Sequence, residues 1–202
     1  LLETDCDLVI LATPPGFRPI HLEAAVNAGK LVFMEKPVAV DAAGVRRVLE
    51  ATRKAKEKSL ALAVGLQRRH EPAYRETIQR LQDGVIGDII LTRAYWNGGG
   101  VWTRARKPDQ TEMEYQMRNW YYFNWLCGDD VPQTLIHNLD RSSWALHNAT
   151  PISAYGMGGR SSLKRNVYGN VFDHHSVVFK FSDGVRVYAL CRTIDNCYNE
   201  NS

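Results

Sequence analysis

The sequence predicts an α/β fold: the second half of a doubly wound parallel sheet, followed by an α+β domain with a mainly antiparallel sheet. Three observations carry this prediction. Short apolar runs alternate with helical patterns over residues 7–64, the pattern changes after Gly65, and the last predicted strands are joined by a hairpin turn. Alternating strands and helices are typical of a parallel sheet, whereas hairpins are typical of an antiparallel one.

The first predicted strand covers residues 7–12. This run is apolar on both faces, as in an interior parallel strand, and the segment Thr13-Pro14-Pro15-Gly16 ends it. From Pro19 the apolar residues follow a helical stripe, and Gly29 lies where the C-terminal cap of a helix belongs.

Two further strands and one helix complete the first pattern. Leu31–Met34 and Leu60–Val64 are predicted strands, and Asp41 is predicted to cap a helix between them. The apolar stripe of this helix is predicted at Val45, Val48, Leu49 and Thr52. The three strands and two helices form a βαβαβ unit, which is half of a Rossmann-type sheet with right-handed crossovers.

The segment after Gly65 predicts a second domain. A helix is expected over Tyr74–Leu81 and a strand over Ile89–Trp96, before a long polar loop that opens at Gly98. A second helix is expected through Leu135, Leu139 and Trp144. The remaining predicted strands, of which the last two are joined by the turn Asp183-Gly184, are Ile152–Gly156, Ser176–Phe181 and Val185–Leu190.

The composition excludes several classes of protein. A chain of 202 residues with 45% hydrophobic and 23% charged residues is typical of a globular protein with a sizeable core. The net charge of +3 is too small to indicate a nucleic-acid partner, and no apolar run is long enough to predict a membrane span. The four cysteines show no metal-binding spacing, so no metal site is predicted.

Glu35-Lys36-Pro37 is the first candidate for chemistry. It lies at the carboxyl end of a predicted parallel strand, where ligands of open α/β sheets bind. A residue before proline is restricted to extended conformations, so the direction of the Lys36 side chain is fixed. A buried lysine can also lose its proton near neutral pH. The alternative is a surface lysine in a turn that ends the strand.

The second candidate is the predicted helix that carries His137. Asp130 is predicted as its N-cap, with Pro132 in the first turn. Gln133 and His137 then lie four residues apart on one helical face. An imidazole there could exchange a proton with a substrate hydroxyl. The alternative is a partly buried histidine that serves only as a hydrogen-bonding group.

Several segments together resemble the Gfo/Idh/MocA oxidoreductases, which are NAD(P)-dependent dehydrogenases of sugars and cyclitols. The Glu-Lys-Pro element is the most specific of them, and the resemblance covers nearly the whole chain. The segments are Thr13-Pro14-Pro15, His21, Ala28-Gly29-Lys30, Glu35-Lys36-Pro37, Gly65-Leu-Gln-Arg-Arg69, Arg118-Asn-Trp120 and His137-Asn-Leu-Asp140.

The resemblance implies hydride transfer between NAD or NADP and a hydroxyl carbon of a sugar or polyol. It implies catalytic roles for Lys36, which would orient the substrate beside a cis peptide bond to Pro37, and for His137 together with Gln133. The residues that it places at the cofactor are Thr13, Pro14, Pro15, His21, Glu35, Lys36, Arg69 and Trp120. It also implies a homo-oligomer, a dimer or a tetramer.

The resemblance further implies that residues 1–65 are the C-terminal half of a dinucleotide-binding domain. Residues 66–202 would then form an incomplete substrate and oligomerisation domain. The glycine-rich phosphate turn, G-x-G-x-x-G, does not occur in the chain. We therefore expect a piece of a longer protein that binds NAD(P) poorly alone. The choice between NAD and NADP, the identity of the substrate and the compartment stay open.

One position departs from the family pattern. The family often has Asp four residues before the histidine, where this chain has Gln133. A carboxylate there would raise the proton affinity of the histidine, whereas a neutral amide orients it and supplies no charge. Asp129 or Asp130 could substitute from the preceding segment. Gln133 therefore leaves open a sensor that binds cofactor or sugar without catalysis. A glycosidase that uses tightly held NAD for transient oxidation is a further alternative.

Overall fold

The computed structural model describes all residues from Leu1 to Ser202. Contacts divide the chain into two compact units, residues 1–65 with 104–133 and residues 66–103 with 134–202. The domain boundary predicted after residue 65 stays a prediction, because a contact unit is not a test of independent folding.

The first unit contains a three-stranded parallel sheet. Its strands β1 (Leu8–Leu11), β2 (Leu31–Met34) and β3 (Leu62–Val64) lie in the order β1-β2-β3. Helix α1 (Arg18–Asn27) connects the first two strands, and helix α2 (Ala42–Glu57) connects the last two. The predicted βαβαβ unit is confirmed, and with it the Rossmann-type half-sheet.

The core of the first unit lies where α1 and α2 pack against each other and against the sheet. Leu8 and Ile10 point away from this core and are exposed. The buried residues of the core are Val9, Leu11, Leu22, Ala25, Val26, Val32, Met34, Val48, Ala51 and Ala55.

Helix α2 begins as predicted but buries a different stripe. The Asp41 side chain accepts a hydrogen bond from the Gly44 amide at 2.6 Å, as expected of an N-cap. Val45, Leu49 and Thr52 are exposed, so the predicted stripe was wrong at these three positions. The buried stripe is Val48, Ala51 and Ala55, because small alanine side chains let two helices approach closely.

At 16 residues α2 is the longest helix, and no helix of the chain is long and apolar enough to cross a membrane.

The segment predicted as a long loop contains two short helices. Helix α4 (Glu112–Arg118) begins with a reciprocal capping box between Thr111 and Glu114. Helix α5 (Asn124–Cys127) ends at Gly128, whose φ of +79° is typical of a glycine that follows a helix. Helices this short carry no clear apolar period, and for that reason the sequence pattern did not reveal them.

The second unit is built on a five-stranded sheet with helices α3 (Pro72–Gln82) and α6 (Ile136–Ala145). The strands lie in the order β5-β6-β7-β4-β8. The pair β4–β7 is parallel and the other three pairs are antiparallel, so the predicted mainly antiparallel sheet is confirmed. The strands are β4 (Leu91–Gly98), β5 (Ser153–Gly159), β6 (His174–Lys180), β7 (Arg186–Thr193) and β8 (Glu200–Asn201).

The helix that carries His137 begins in a different way from the prediction. Asp130 already lies within the helical run, so the predicted N-cap at Asp130 was wrong by one residue. The first hydrogen bond of this run is donated by the Gln133 amide to the Asp129 carbonyl, at 3.2 Å. Val131–Leu135 form a π-helical turn before α6. Gln133 lies in this turn and His137 in α6, so the predicted shared face of the two residues stays a prediction.

Candidate active site

The turn after β1 brings several predicted cofactor residues together. Pro14 is half-buried, and Pro15 is buried at the start of a 3-10 turn, Pro15–Phe17. Thr13 Oγ1 and His21 Nδ1 are hydrogen-bonded at 3.1 Å. The His21 ring stacks on Phe17, with 5.9 Å between the ring centroids and 19° between the planes. The turn is therefore fixed by side-chain contacts at its start and its end.

Arg18 holds the same turn from inside and was missed in the sequence. It is 1% exposed, and its guanidinium donates hydrogen bonds to the carbonyls of Leu11 and Thr13, the latter at 3.0 Å. Arg18 is the first residue of α1, where the positive end of the helix dipole disfavours a cation. An arginine at the start of a predicted helix is therefore a sequence feature that could have indicated a role for Arg18 outside the helix.

Glu35 and Lys36 lie directly after β2, at the carboxyl edge of the parallel sheet. The Lys36–Pro37 peptide bond is cis, as the resemblance implied. The half-buried Lys36 ammonium donates a hydrogen bond of 2.5 Å to the main-chain carbonyl of Gln133. Burial lowers the pKa of Lys36, Glu35 opposes this change, and the positive charge of Arg18 adds to it.

Gln133 presents an unusual polar atom. The residue is 5% exposed, and its side-chain oxygen Oε1 is buried with no hydrogen-bond partner. An unpaired buried oxygen costs free energy, so it marks a position where a ligand hydroxyl or amide N–H would be stabilised. The Lys36 ammonium donates to the main-chain carbonyl of the same residue. Gln133 is therefore the position where a charged donor, the Lys36 ammonium, and an unpaired acceptor, the side-chain oxygen, are both found.

Trp120 lies in a 3-10 turn, Trp120–Tyr122, between α4 and α5. It is half-buried, and its ring centroid lies 5.4 Å from that of Tyr121. The neighbouring Asn119 is fully buried and exchanges hydrogen bonds with the main chain of Arg104 at 2.7 and 3.0 Å. Asn119 therefore fixes the start of the segment in which Trp120 lies.

In the second unit, His137 is half-buried on α6. Its ring lies 5.8 Å from the ring of Trp96, with 33° between the planes. The aromatic neighbour restricts the orientation of the imidazole.

Arg69 is occupied by protein groups. Its guanidinium forms a two-pronged ion pair with Asp140, with distances from 2.7 to 2.9 Å, and donates to Asn148 Oδ1 at 2.8 Å. It also lies 5.2 Å above the Trp144 ring. These contacts tie the turn at residues 67–70 to α6, and the predicted contact of Arg69 with the cofactor stays a prediction.

Comparison with known proteins gives one matching family and two groups of relatives. Residues 1–65 match a family described as "Oxidoreductase family, NAD-binding Rossmann fold". Inositol 2-dehydrogenase of Serratia proteamaculans (strain 568) is 31% identical over 181 residues, which are 88% of this chain and 46% of that protein. Inositol 2-dehydrogenase of Rhizobium meliloti (strain 1021) is 28% identical over 173 residues, which are 86% and 46%.

The solved structures give the same result for the fold. The aldose-aldose oxidoreductase of Caulobacter crescentus superposes with a TM-score of 0.74 at 21% identity, over 96% of this chain and 53% of that one. The chain therefore spans about half the length of the relatives it matches.

Proposed function

Since the chain belongs to the Gfo/Idh/MocA oxidoreductase family, we propose that the protein is a nicotinamide-dependent dehydrogenase of a sugar or polyol. The observation that carries this proposal is the half-buried ammonium of Lys36, held at the carboxyl edge of the parallel sheet. The relatives named inositol 2-dehydrogenase support a cyclitol or a sugar as the class of substrate.

The residues around the sheet edge fit a nicotinamide cofactor. In this proposal NAD or NADP is held by the residues that the family resemblance assigns to the cofactor: Thr13, Pro14, Pro15, His21, Glu35, Lys36, Arg69 and Trp120. The unpaired Gln133 oxygen supports this fit, because it would accept a hydrogen bond from a bound amide or hydroxyl. When bound, the nicotinamide supplies the hydride-transfer chemistry.

The protein supplies position and proton transfer. Lys36 donates a hydrogen bond to the reacting hydroxyl and fixes its orientation, and the His137 imidazole accepts the hydroxyl proton. Gln133 contributes a neutral acceptor, its buried side-chain oxygen Oε1.

Gln133 also favours a second candidate, a protein that binds cofactor or sugar without catalysis. A neutral amide provides binding contacts and no charge to stabilise an imidazolium. The two functions differ in one measurement, because only the enzyme changes the redox state of the nicotinamide.

The proposal is tested by the formation of NADH or NADPH across a panel of polyols and sugars. The assay uses the longest natural polypeptide that contains these residues. Lys36→Met is expected to lower turnover by about a hundredfold or more, because an orienting donor is lost. Lys56→Met, at an exposed lysine of α2, serves as the matched control and keeps full turnover. Unchanged turnover of Lys36→Met would exclude the proposed role, and cofactor binding without turnover on any substrate would favour the sensor.

We also propose a homo-oligomer, a dimer or a tetramer. Ile152, Tyr155 and Met157, at and beside the edge strand β5, are 63%, 69% and 81% exposed, and such apolar exposure is typical of an interface. Sedimentation velocity tests this, and Met157→Lys is expected to shift the protein to a smaller species.

A further inference from the structure

Two arginines in the second unit share one neutral acceptor. Arg68, in the turn before α3, and Arg141, on α6, both donate hydrogen bonds to Oδ1 of Asn138. Arg141 also donates to the Tyr74 hydroxyl at 3.5 Å. Both arginines are half-buried, so each guanidinium is partly withdrawn from water and partly accessible.

Neither guanidinium is neutralised by an ion pair. The adjacent Arg69 pairs with Asp140, whereas the hydrogen-bond partners of Arg68 and Arg141 are uncharged. Burial lowers the pKa of Arg141, and the positive charge of Arg68 lowers it further. Two like charges held together in a partly desolvated place cost free energy unless an anion joins them.

The neutral amide at Asn138 has a structural reason. Asn138 is 2% exposed, and its Nδ2 donates hydrogen bonds to the Tyr95 carbonyl and, at 2.9 Å, to Asn201 Oδ1. A carboxylate has no N–H to donate, so aspartate at this position would lose both bonds. The scaffold therefore leaves the two positive charges uncompensated.

Aromatic rings hold the two guanidiniums in place. The Tyr74 ring centroid lies 5.7 Å from the Arg68 guanidinium and 5.4 Å from that of Arg141. Contact with a ring face fixes the plane of a guanidinium and leaves its N–H edge for a ligand. Such a preformed fork suits the oxygens of a carboxylate or a phosphate.

The pair is close to the proposed acid/base residue. Arg68 lies 5.9 Å from the Trp96 ring, and the same ring lies 5.8 Å from the ring of His137. The Arg68 guanidinium and the His137 imidazole are therefore both neighbours of one indole ring. A six-carbon ligand with its reacting hydroxyl at one end is long enough to reach toward the guanidinium with the other.

We propose that Arg68 and Arg141 bind an oxyanion, a carboxylate or a phosphate, of the ligand that His137 serves. The substrate is then an acidic sugar or polyol, such as a sugar acid or a polyol phosphate. The identification of this ligand as the substrate rests on the proposed function, whereas binding of the anion does not.

Calorimetric titration tests the anion site with ligands of one carbon skeleton: D-glucitol, D-gluconate and D-glucitol 6-phosphate, in a buffer of low ionic strength. The acidic ligands are expected to bind at least tenfold more tightly than D-glucitol, and added salt should reduce the difference. The ratio of gluconate to glucitol phosphate affinity distinguishes the carboxylate from the phosphate.

Arginine variants identify the residues. Arg141→Met and Arg68→Met are each expected to reduce the binding of the acidic ligand by about ten- to a hundredfold, the usual range for a charge-assisted hydrogen bond. Arg141→Lys keeps the charge and is expected to retain part of the preference. Arg80→Met is the control, because Arg80 is exposed and paired with Glu76. Circular dichroism confirms that each variant is folded, and Arg141→Gln replaces Arg141→Met if the latter is not.

Equal or absent binding of the acidic and neutral ligands would overturn the proposal, as would an unchanged preference in both folded arginine variants. These results are separable from failure of the proposed function. Acid-selective binding without hydride transfer contradicts only the dehydrogenase, and turnover of neutral polyols that is insensitive to both variants contradicts only the anion site.

Discussion

The proton affinity of Lys36 is set by two neighbouring charges and by burial. Burial is the largest influence and lowers the pKa, Glu35 raises it, and Arg18 lowers it. Arg18 is fixed by the carbonyls of Leu11 and Thr13. The turn after β1 and the lysine after β2 are therefore coupled through a buried guanidinium.

Glu35→Gln is expected to lower the pKa of Lys36 further, because it removes the carboxylate that stabilises the ammonium and leaves burial and Arg18 in place. A titration of isotope-labelled lysine side chains by NMR measures this shift. Glu23→Gln, which removes a carboxylate paired with Arg47 at the surface, is the control and should leave Lys36 unchanged. A rise in the pKa of Lys36 would contradict the assignment.

Asp173 is a second buried charge, with a structural role. It is fully buried and accepts hydrogen bonds from the amides of Ser161, Ser162 and Leu163, and from the His174 ring at 2.7 Å. Burial alone would raise the pKa of Asp173, but these donors outweigh it and lower the pKa to about 2. The carboxylate thus organises the loop after β5.

Asp173→Asn is expected to destabilise the protein by about 2–3 kcal/mol, because the new NH₂ group cannot accept the amide donors. Urea unfolding at neutral pH measures the loss. The pH dependence has a definite sign: the pKa of Asp173 is about 2 in the folded state and ~3.9 in an unfolded chain. The stabilisation is complete above pH ~4 and is lost as the pH falls toward 2. A variant as stable as the parent, with the same acid transition, would contradict this role.

The elements that the sequence predicted are those whose signals are local. The strands of the first sheet are bounded by Pro and Gly, and Asp41 caps α2 by a bond within its own first turn. Helix α5 was not predicted because distant packing supports it: Gly16, more than a hundred residues earlier, lies against the main chain of Trp125. Local patterns do not record such distant contacts.

The residues of the candidate site also fall into those that local sequence predicts and those that it does not. Glu35 and Lys36 were predictable because they directly follow an apolar strand, where ligands of parallel sheets bind, whereas Thr13 was predicted from the family resemblance alone. Arg18 and Asn138 were not, since the role of each depends on partners in other elements.

Gly16→Ala is expected to separate α5 from the turn after β1. A Cβ at Gly16 would lie 2.2 Å from the Trp125 carbonyl oxygen, and a main-chain atom cannot move aside without shifting α5. We expect a destabilisation of about 1–3 kcal/mol by urea unfolding. Gly98→Ala, which meets no atom within 4 Å, is the matched control and should change stability by less than about 0.5 kcal/mol. Equal effects of the two substitutions would argue against this packing.

At the scale of the whole molecule, each unit contains one deeply buried thiol. Cys127, in the first unit, is 0% exposed, and Cys191, in the second, is 1% exposed. Burial, the largest influence, raises the pKa of Cys127 to about 12. Cys197 is exposed, and the chain contains no disulfide. The buried thiols can therefore report the opening of their own units.

We expect Cys197 to react first with a thiol reagent at pH 8, and Cys127 and Cys191 to react only after local or global unfolding. Asp173→Asn should accelerate labelling of Cys191 more than that of Cys127, and Gly16→Ala should do the reverse. Labelled peptides quantified by mass spectrometry measure both rates. Equal acceleration of both thiols in each variant would mean that the chain opens as one body.

The π-helical turn at Val131–Leu135 has a consequence for how the chain tolerates insertions and deletions. An α-helix rotates by ~100° per residue, so one added residue would ordinarily turn every later side chain to a new azimuth. A π-turn absorbs the added residue and preserves the angular phase of the rest of α6. Loss of one residue before His137 would then convert the π-turn into ordinary helix and leave the histidine facing the same way. The number of residues in this turn can therefore change by one while the direction of the His137 side chain is kept.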